Sequence, residues 1–265
     1  PGEKLSEVLW DPGTPLEKQI TPYQIVRFPM KAPSSFQQFD RAGLDFGADI
    51  DRDGRLDFIT LEMLSRDHAH RLRQLSSMPL AARRIGGGDN REAVPRNALY
   101  WNRGDGTYAE IAWFAGVEAS DWSWTPAFLD VDLDGYEDLL VSTGSLYDVM
   151  DQDAAAAAKL SGPGGADPRK VLSLYPLLDN RNAAFRNRGN LTFEDVSQVW
   201  GFASRRVCQG MALADLDGDG ELDVVMNCAN APPLVCRNDA PAARVAVRLN
   251  GSPPNTQGIG AKVKL

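Results

Sequence analysis

Short apolar runs recur along the chain and are separated by turns rich in aspartate and glycine. The runs Ala127–Leu129 and Met211–Ala214 precede such turns, and Phe58–Leu61, Leu139–Ser142 and Val224–Asn227 follow them. Runs of this length, rich in β-branched residues and bounded by turn residues, are typical of strands rather than helices. The pattern therefore predicts pairs of strands joined by acidic turns.

The acidic turns share one nine-residue pattern, Asp-x-Asp-x-Asp-Gly-x-x-Asp, which occurs at Asp49–Asp57, Asp130–Asp138 and Asp215–Asp223. Alternate side chains of an extended loop point the same way, so the aspartates at places 1, 3 and 5 can converge. The glycine at place 6 allows a sharp turn, place 7 can offer its backbone carbonyl, and the aspartate at place 9 closes the shell. Such an all-oxygen set suits calcium, whereas zinc and copper prefer His or Cys ligands.

The sequence thus predicts three calcium sites. The predicted carboxylate ligands are Asp49, Asp51, Asp53 and Asp57 in the first loop, Asp130, Asp132, Asp134 and Asp138 in the second, and Asp215, Asp217, Asp219 and Asp223 in the third. The predicted backbone-carbonyl ligands are Arg55, Tyr136 and Glu221. Without a cation, each pair of carboxylates 4 Å apart would cost about 1 kcal/mol even in water. A single such loop could be only an acidic turn, since Asp and Gly favour turns, but three copies favour metal binding.

An EF-hand begins with the same residues but requires a bidentate Glu at place 12 and flanking helices. Place 12 is Thr60, Val141 and Met226 in the three loops. The loops are therefore predicted to be strand–calcium–strand hairpins.

A longer repeat surrounds two of the loops. Asn97–Ile111 aligns with Asn182–Val196 at an offset of 85 residues, and the alignment continues without a gap to Asp130 and Asp215. One unit is then strand, Arg-Gly turn, strand, connection, strand, calcium loop, strand. Four antiparallel strands per unit is the composition of a β-propeller blade, so we predict an all-β propeller with calcium-binding hairpins, each loop stabilising the outer hairpin of its blade.

These units resemble FG-GAP/VCBS-type repeats, whose blades carry calcium in such hairpins, as in integrin-α-like propellers. Residues 243–265 resemble the opening of an ASPIC/UnbV domain, and this order of domains is similar to the CRTAC1-like family of secreted proteins. The resemblance implies propeller repeats over residues 1–242 and the start of an ASPIC/UnbV-like β domain at 243–265. Because propellers close with about four to eight blades, we expect an incomplete stretch of a larger propeller.

Composition narrows the setting of the protein. The formal net charge of −8 would become −2 with three calcium ions bound, and an acidic protein is a poor partner for nucleic acid. No apolar run approaches the roughly 18 residues of a membrane span. Calcium loops of this kind need the high calcium concentration outside the cytosol. We therefore predict an extracellular or periplasmic location.

The three cysteines, Cys208, Cys228 and Cys236, all lie in the last unit. Cys208 precedes the third calcium loop and Cys228 follows it, so these two could face one another across a hairpin. Cys228 and Cys236 could equally bridge the next connection, and buried free thiols are the third alternative.

The connection that follows the calcium loop differs between units. The distance from the first aspartate of the loop to the Trp-Asn or Arg-Asn strand end is 53 residues in the first unit, 57 in the second and 23 in the third. The first two units therefore carry insertions, at about 65–96 and 148–181, which in a propeller lie on one rim. Long connections on a rigid scaffold commonly carry binding function, so we expect a protein or glycan partner there.

Within the insertions, Ser65–Leu75 is predicted to be a helix, and Lys170–Leu178 a short one. The first insertion holds seven arginines against three acids, which indicates either an anion site or a solvated helix. His68 and His70 could bind a transition metal only if this stretch were extended, because residues two apart on a helix face different ways.

The sequence contains no recognisable Ser/His/Asp set and only two histidines, so we do not expect an enzyme. The predicted function is a calcium-stabilised extracytoplasmic binding or scaffolding module. A structural subunit of a larger extracytoplasmic or membrane-associated assembly is one alternative, and a propeller enzyme acting on polysaccharide is another.

Overall fold

The computed structural model describes residues 47–76, 96–160, 168–241, 247, 249–256 and 258. Within these ranges the chain forms three antiparallel sheets. The first sheet contains β1 (Gly47–Ala48), β2 (Asp57–Thr60), β3 (Ala98–Asn102) and β4 (Tyr108–Glu110). The second contains β5 (Ser123–Leu129), β6 (Asp138–Thr143), β7 (Ala183–Asn187) and β8 (Phe193–Asp195), and the third contains β9 (Cys208–Ala214), β10 (Asp223–Cys228) and β11 (Leu234–Cys236).

Each acidic loop joins the first two strands of a sheet, as the predicted hairpins require. The strands close directly onto the loop, with Ala48 opposite Asp57, Leu129 opposite Asp138 and Ala214 opposite Asp223. The strands of each sheet follow the order of the chain. The all-β class is thus confirmed, while the described residues form three sheets and not a closed ring, so propeller closure stays a prediction.

The strands follow one another along the chain in the predicted order, but the sheets divide that order at a different place. The sequence repeat ends with the acidic hairpin, whereas each sheet begins with it. A sequence unit therefore supplies the last two strands of one sheet and the first two of the next. The first strand of each acidic hairpin is an edge strand of its sheet, and β9 packs against both β5 and β6 of the preceding sheet. Whether this edge is the outer one of a propeller blade stays a prediction.

The hydrophobic core lies between neighbouring sheets. One cluster joins Ile50, Ile59 and Leu99 of the first sheet to Leu139 and Phe185 of the second. A second cluster packs the other face of the second sheet against β9 and β10 of the third. The second sheet is covered on both faces, which explains why every residue of β6 is buried.

Four helices lie in the connections of the described chain. They are α1 (His68–Ser76), α2 (Ala112–Ala115), α3 (Gln152–Leu160) and α4 (Pro168–Leu172). The helix expected at Ser65–Leu75 is confirmed as α1. The one expected at Lys170–Leu178 begins and ends earlier, as α4, and α3 was not predicted. Both insertions join the second strand of a sheet to the third, at the end opposite the acidic loops; their parts 77–95 and 161–167 lie outside the described residues.

The structure decides between the cysteine pairings. Cys208 and Cys228 form a disulfide between directly opposed positions of β9 and β10. Cys236 on β11 is a free thiol, and its burial raises the pKa of that thiol. The expected ASPIC/UnbV-like segment at 243–265 lies largely outside the described residues.

Candidate metal centres

Each of the three acidic loops brings together three of its four predicted carboxylate ligands, while Asp57, Asp134 and Asp219 lie outside these clusters. One carboxylate oxygen from each of three aspartates lies within 4.8 Å of the others in every loop. The three clusters are Asp49, Asp51 and Asp53; Asp130, Asp132 and Asp138; and Asp215, Asp217 and Asp223. They are the His, Cys, Asp or Glu clusters with metal-binding geometry in the described parts of the chain, and neither His68 nor His70 belongs to one.

The aspartate at place 1 holds the turn of its own loop. The backbone N–H at the place-6 glycine donates to this carboxylate in each copy, from Gly54 to Asp49 at 2.8 Å, for example. The equivalent donors are Gly135 to Asp130 and Gly220 to Asp215. These glycines have φ between 84° and 92°, the left-handed region that favours glycine. The loop is therefore folded around the carboxylate at place 1.

The aspartate at place 9 is buried and accepts two backbone hydrogen bonds. In the second loop, Asp138 accepts from the N–H of Val131 at 2.9 Å and from the N–H of Asn187 at 2.8 Å. The same pair of bonds runs from Ile50 and Asn102 to Asp57, and from Leu216 and Asn238 to Asp223. The aspartate at place 9 thus links the N–H at place 2 of its loop to the N–H of the asparagine near the end of the third strand.

The residue before each of these asparagines contacts the aspartate at place 3. The indole Nε1 of Trp101 donates to Asp51 at 2.7 Å, and the guanidinium of Arg186 lies 2.6 Å from Asp132. Arg237 lies 3.5 Å from Asp217 in the third loop. These contacts were not predicted from the sequence, because the contacting residue is an aromatic in one unit and a cation in the others. The constant Asn that follows it was the available signal.

Place 5 holds the peptide of place 7 in all three loops. The N–H groups of Arg55, Tyr136 and Glu221 donate to Asp53, Asp134 and Asp219, respectively. These hydrogen bonds fix the backbone N–H of the residue at place 7. A role for the carbonyls of Arg55, Tyr136 and Glu221 as ligands stays a prediction.

Burial disfavours the charged form of several of these carboxylates. The pKa of Asp57 is raised to about 6 and that of Asp138 to about 7, mainly by burial and in part by the neighbouring aspartates of each loop. The backbone hydrogen bonds to each group act in the opposite direction. Burial likewise raises the pKa of Asp130 and of Glu137. The second loop therefore concentrates acidic groups that a bound cation would stabilise in their charged form.

The donor set fits a hard divalent cation. Oδ1 of Asp130 and Oδ1 of Asp132 are both buried and lack a hydrogen-bond partner among the described residues. An unpaired buried carboxylate oxygen costs free energy, which a cation bonded to it would offset. Every convergent atom is a carboxylate oxygen, the ligand type of calcium.

A second region of interest, which we call the insertion rim, comprises the described parts of both insertions (65–76, 148–160 and 168–181) and the adjoining residues 145–147. The described arginines of the first insertion pair with acidic side chains. Arg66, Arg71 and Arg73 pair with Asp121, Glu118 and Asp151. Arg96 pairs with Glu110, and Arg83, Arg84 and Arg91 lie outside the described residues. Neutralised side chains of this kind stabilise the fold and are not available to an anionic ligand.

The rim exposes apolar side chains instead. Leu177 is 77% exposed, and Leu146, Leu172 and Leu174 are each about 40% exposed. A cavity of about 250 Å³ lies between this region and the ends of the sheets, lined by Trp124, Leu146, Val149 and Leu172 among others. Exposed apolar surface that is contiguous indicates an interaction site more often than isolated apolar residues do.

Two segments of the chain, residues 82–141 and 171–226, match the FG-GAP-like repeat family. Each matched segment ends just after an acidic loop, which agrees with the repeat unit inferred from the 85-residue offset. These two segments are therefore similar to FG-GAP-like repeats. No curated protein matches the chain, and the ASPIC/UnbV and CRTAC1-like assignment has no support from the comparisons.

Proposed function

We propose that the protein is a calcium-stabilised extracytoplasmic β-propeller module that binds or scaffolds partner molecules. The observation that carries this proposal is the convergence of three carboxylate oxygens in each of three equivalent loops. In the second loop, two of these carboxylates also present buried oxygens without a partner. The FG-GAP-like repeats support the same assignment.

Calcium would be held by the aspartates at places 1, 3, 5 and 9, with the carbonyl at place 7. It would supply positive charge among carboxylates that otherwise repel one another. The protein's part is to fix those carboxylates. The place-6 glycine N–H orients place 1, Trp101, Arg186 or Arg237 orients place 3, and two backbone N–H groups orient place 9. Each loop thereby joins the first two strands of a sheet to the third.

An extracellular or periplasmic location agrees with two features. The Cys208–Cys228 disulfide requires an oxidising compartment, and calcium loops stay filled where calcium is abundant. In the described residues, no helix has the length and apolarity to cross a membrane.

Thermal unfolding in calcium and in EDTA tests the calcium claim. At a free calcium concentration 100 times the Kd, one site stabilises the folded state by about 2.7 kcal/mol. Chelation is therefore expected to lower the Tm by many degrees. Magnesium at the same concentration serves as the control, because it keeps its waters and prefers fewer protein ligands. An identical Tm in calcium and EDTA would sink the claim.

The partner-binding part of the proposal concerns the insertion rim. We expect a protein or glycan partner to contact the exposed leucines, so the substitution Leu177→Asp would weaken capture of the partner from the extracytoplasmic fraction of the source cells. The matched control is Val199→Asp, since Val199 is 83% exposed and lies outside both insertions. Equal capture by the two variants would remove the rim from the proposal.

A structural subunit of a larger extracytoplasmic or membrane-associated assembly would use the same rim for docking. Size-exclusion of the native protein distinguishes this alternative, because a subunit would elute with its assembly. The expected lack of catalysis, and with it the alternative of a polysaccharide-active enzyme, stays a prediction to be tested by activity assays.

A further inference from the structure

A single asparagine contacts the acidic loops of two neighbouring sheets. The backbone N–H of Asn187 donates to Oδ1 of Asp138, in the second loop, at 2.8 Å. Its side-chain Nδ2 donates to the carbonyl of Ile50, in the first loop, at 2.9 Å, and to the carbonyl of Glu137 at 3.1 Å. Asn187 is therefore hydrogen-bonded to a residue in each of two neighbouring acidic loops.

The same arrangement recurs between the second and third loops. The backbone N–H of Asn238 donates to Oδ1 of Asp223 at 2.9 Å, and its Nδ2 donates to the carbonyl of Val131 at 3.0 Å. Ile50 and Val131 both occupy place 2 of their loops. The N–H at place 2 donates in turn to the place-9 aspartate of its own loop, so place 2 is fixed through both its N–H and its carbonyl.

Burial makes the first of these links strong. Asn187 is 1% exposed and Ile50 is fully buried, and buried amide groups are costly to leave unpaired. Two further contacts join the same loops. The N–H of Asp49 donates to Oε2 of Glu137 at 3.2 Å, and the guanidinium of Arg52 lies 5.3 Å from the ring centre of Tyr136.

Place 2 lies between the aspartates at places 1 and 3, whose carboxylates are two of the predicted ligands. A cation in the second loop would fix the carboxylate of Asp138, to which the N–H of Asn187 is hydrogen-bonded. The side chain of Asn187 is in turn hydrogen-bonded to the carbonyl of Ile50, which lies between Asp49 and Asp51. We propose that Asn187 and Asn238 are positioning residues that couple neighbouring cation sites. An occupied site then raises the calcium affinity of the site in the preceding sheet. The inference rests on the proposed calcium function.

The first sheet offers a matched control. Asn102 occupies the same position, and its backbone N–H donates to Asp57 at 2.7 Å. Its side-chain Nδ2, however, donates to Leu56 and Tyr108 of the same sheet. Loss of this side chain would affect one sheet and leave the contacts between loops in place.

Calcium titration by calorimetry tests the coupling in a double-mutant cycle. All variants carry Asp217→Asn with Asp219→Asn, which removes the third site. The second site is removed in this background by Asp132→Asn with Asp134→Asn. The cycle compares the background, this removal alone, Asn187→Ala alone, and the two changes together. We expect loss of the second site to lower the calcium affinity of the first about 5- to 150-fold when Asn187 is present, the usual range of coupling between sites. With Asn187→Ala the two sites should behave independently, whereas Asn102→Ala should leave the coupling unchanged.

The outcomes separate the two proposals. If the background variant binds no calcium, the proposed function fails. If it binds calcium but the first site keeps its affinity when the second is removed, or if the drop is the same with Asn187→Ala, only the coupling is overturned. A purely structural role for Asn187 would lower the Tm equally in EDTA and in calcium, without changing the cycle. Should Asn187→Ala fail to fold, Asn238→Ala, at a half-buried position, allows the same cycle between the third site and the second, with the first site removed.

Discussion

The guanidinium Nη1 of Arg73 lies 3.2 Å from Oδ2 of Asp151 and joins the two insertions. Arg73 belongs to α1, in the first insertion, and Asp151 directly precedes α3, in the second. The other oxygen of Asp151 accepts the N–H of Ala154 at 2.9 Å, so the same carboxylate caps α3. The equal position of both insertions within their units predicted that they would share a rim. The Arg73–Asp151 contact shows that the two insertions touch, and a shared propeller rim stays a prediction.

The two roles of Asp151 can be separated by mutation. Asp151→Ala removes the cap and the ion pair and should lower the free energy of unfolding by about 1 to 2 kcal/mol. Asp151→Asn keeps an oxygen that can cap the helix and should cost less than half of that, since ion pairs of exposed arginines contribute little. Urea unfolding measures both, with the exposed neighbour substitution Asp153→Asn as control. Equal losses for the Ala and Asn variants would assign the effect to the ion pair instead of the cap.

Local signals were sufficient to predict the hairpins. Place 1 and place 9 of each loop are eight residues apart, and the apolar runs on either side extend directly into paired strands. Local signals do not predict which strand begins a sheet, because a repeat of four strands can be divided at any strand. The pairing of the second strand with the third shows which strands share a sheet, as with Ile59 and Leu99 across the first insertion and Leu140 and Ala184 across the second. No local pattern specifies contacts at that separation.

The contacts around the candidate cation sites could not be predicted from the sequence either. The bond from Asn187 to Ile50 spans 137 residues and depends on how two sheets pack. Similarly, the sequence left two disulfide pairings open, and the direct opposition of Cys208 and Cys228 across β9 and β10 decided between them. The first contact depends on sheet packing and the second on strand register, and the composition of a segment contains neither.

Arg66 is expected to make a large contribution to the packing of the first insertion on the second sheet. Its guanidinium donates to Asp121 at 2.8 Å, to Asp195 at 2.9 Å and to the carbonyl of Arg181 at 2.9 Å. Arg66→Met should lower the free energy of unfolding by about 2 to 3 kcal/mol, because partly buried acceptors lose their donor. Arg66→Lys should recover little, since an ammonium cannot reproduce the planar fork.

The control for Arg66 is Arg188→Met. Arg188 pairs with Glu194 where both side chains are about half exposed, and such pairs contribute about 0 to 1 kcal/mol. Chemical denaturation of the three variants provides the comparison. A loss at Arg66 no larger than that at Arg188 would contradict the proposed role.

The disulfide is expected to be a main source of stability in the third sheet. Cys208 and Cys228 are 20 residues apart, and closing a loop of that length stabilises a protein by about 3 kcal/mol. The double substitution Cys208→Ala with Cys228→Ala should therefore shift the guanidinium midpoint downwards, and reduction of the wild-type protein should shift it similarly. Cys236→Ala is the control and should have a much smaller effect. An unchanged midpoint on reduction would argue against the bond.

Asp195 gives the protein a predictable response to acid. Burial acts to raise the pKa of this carboxyl, but hydrogen bonds from the side chain and the N–H of Ser197, together with Arg66, lower it below its ordinary value. A folded-state pKa below the unfolded value of about 3.9 adds stability above pH 4 and loses it as the pH falls through the folded pKa. Asp195→Asn should therefore destabilise the protein at pH 7 more than at pH 2, and Ser197→Ala should give part of this change. Urea unfolding in EDTA at both pH values measures it, and a difference from wild type that does not vary with pH would refute the assignment.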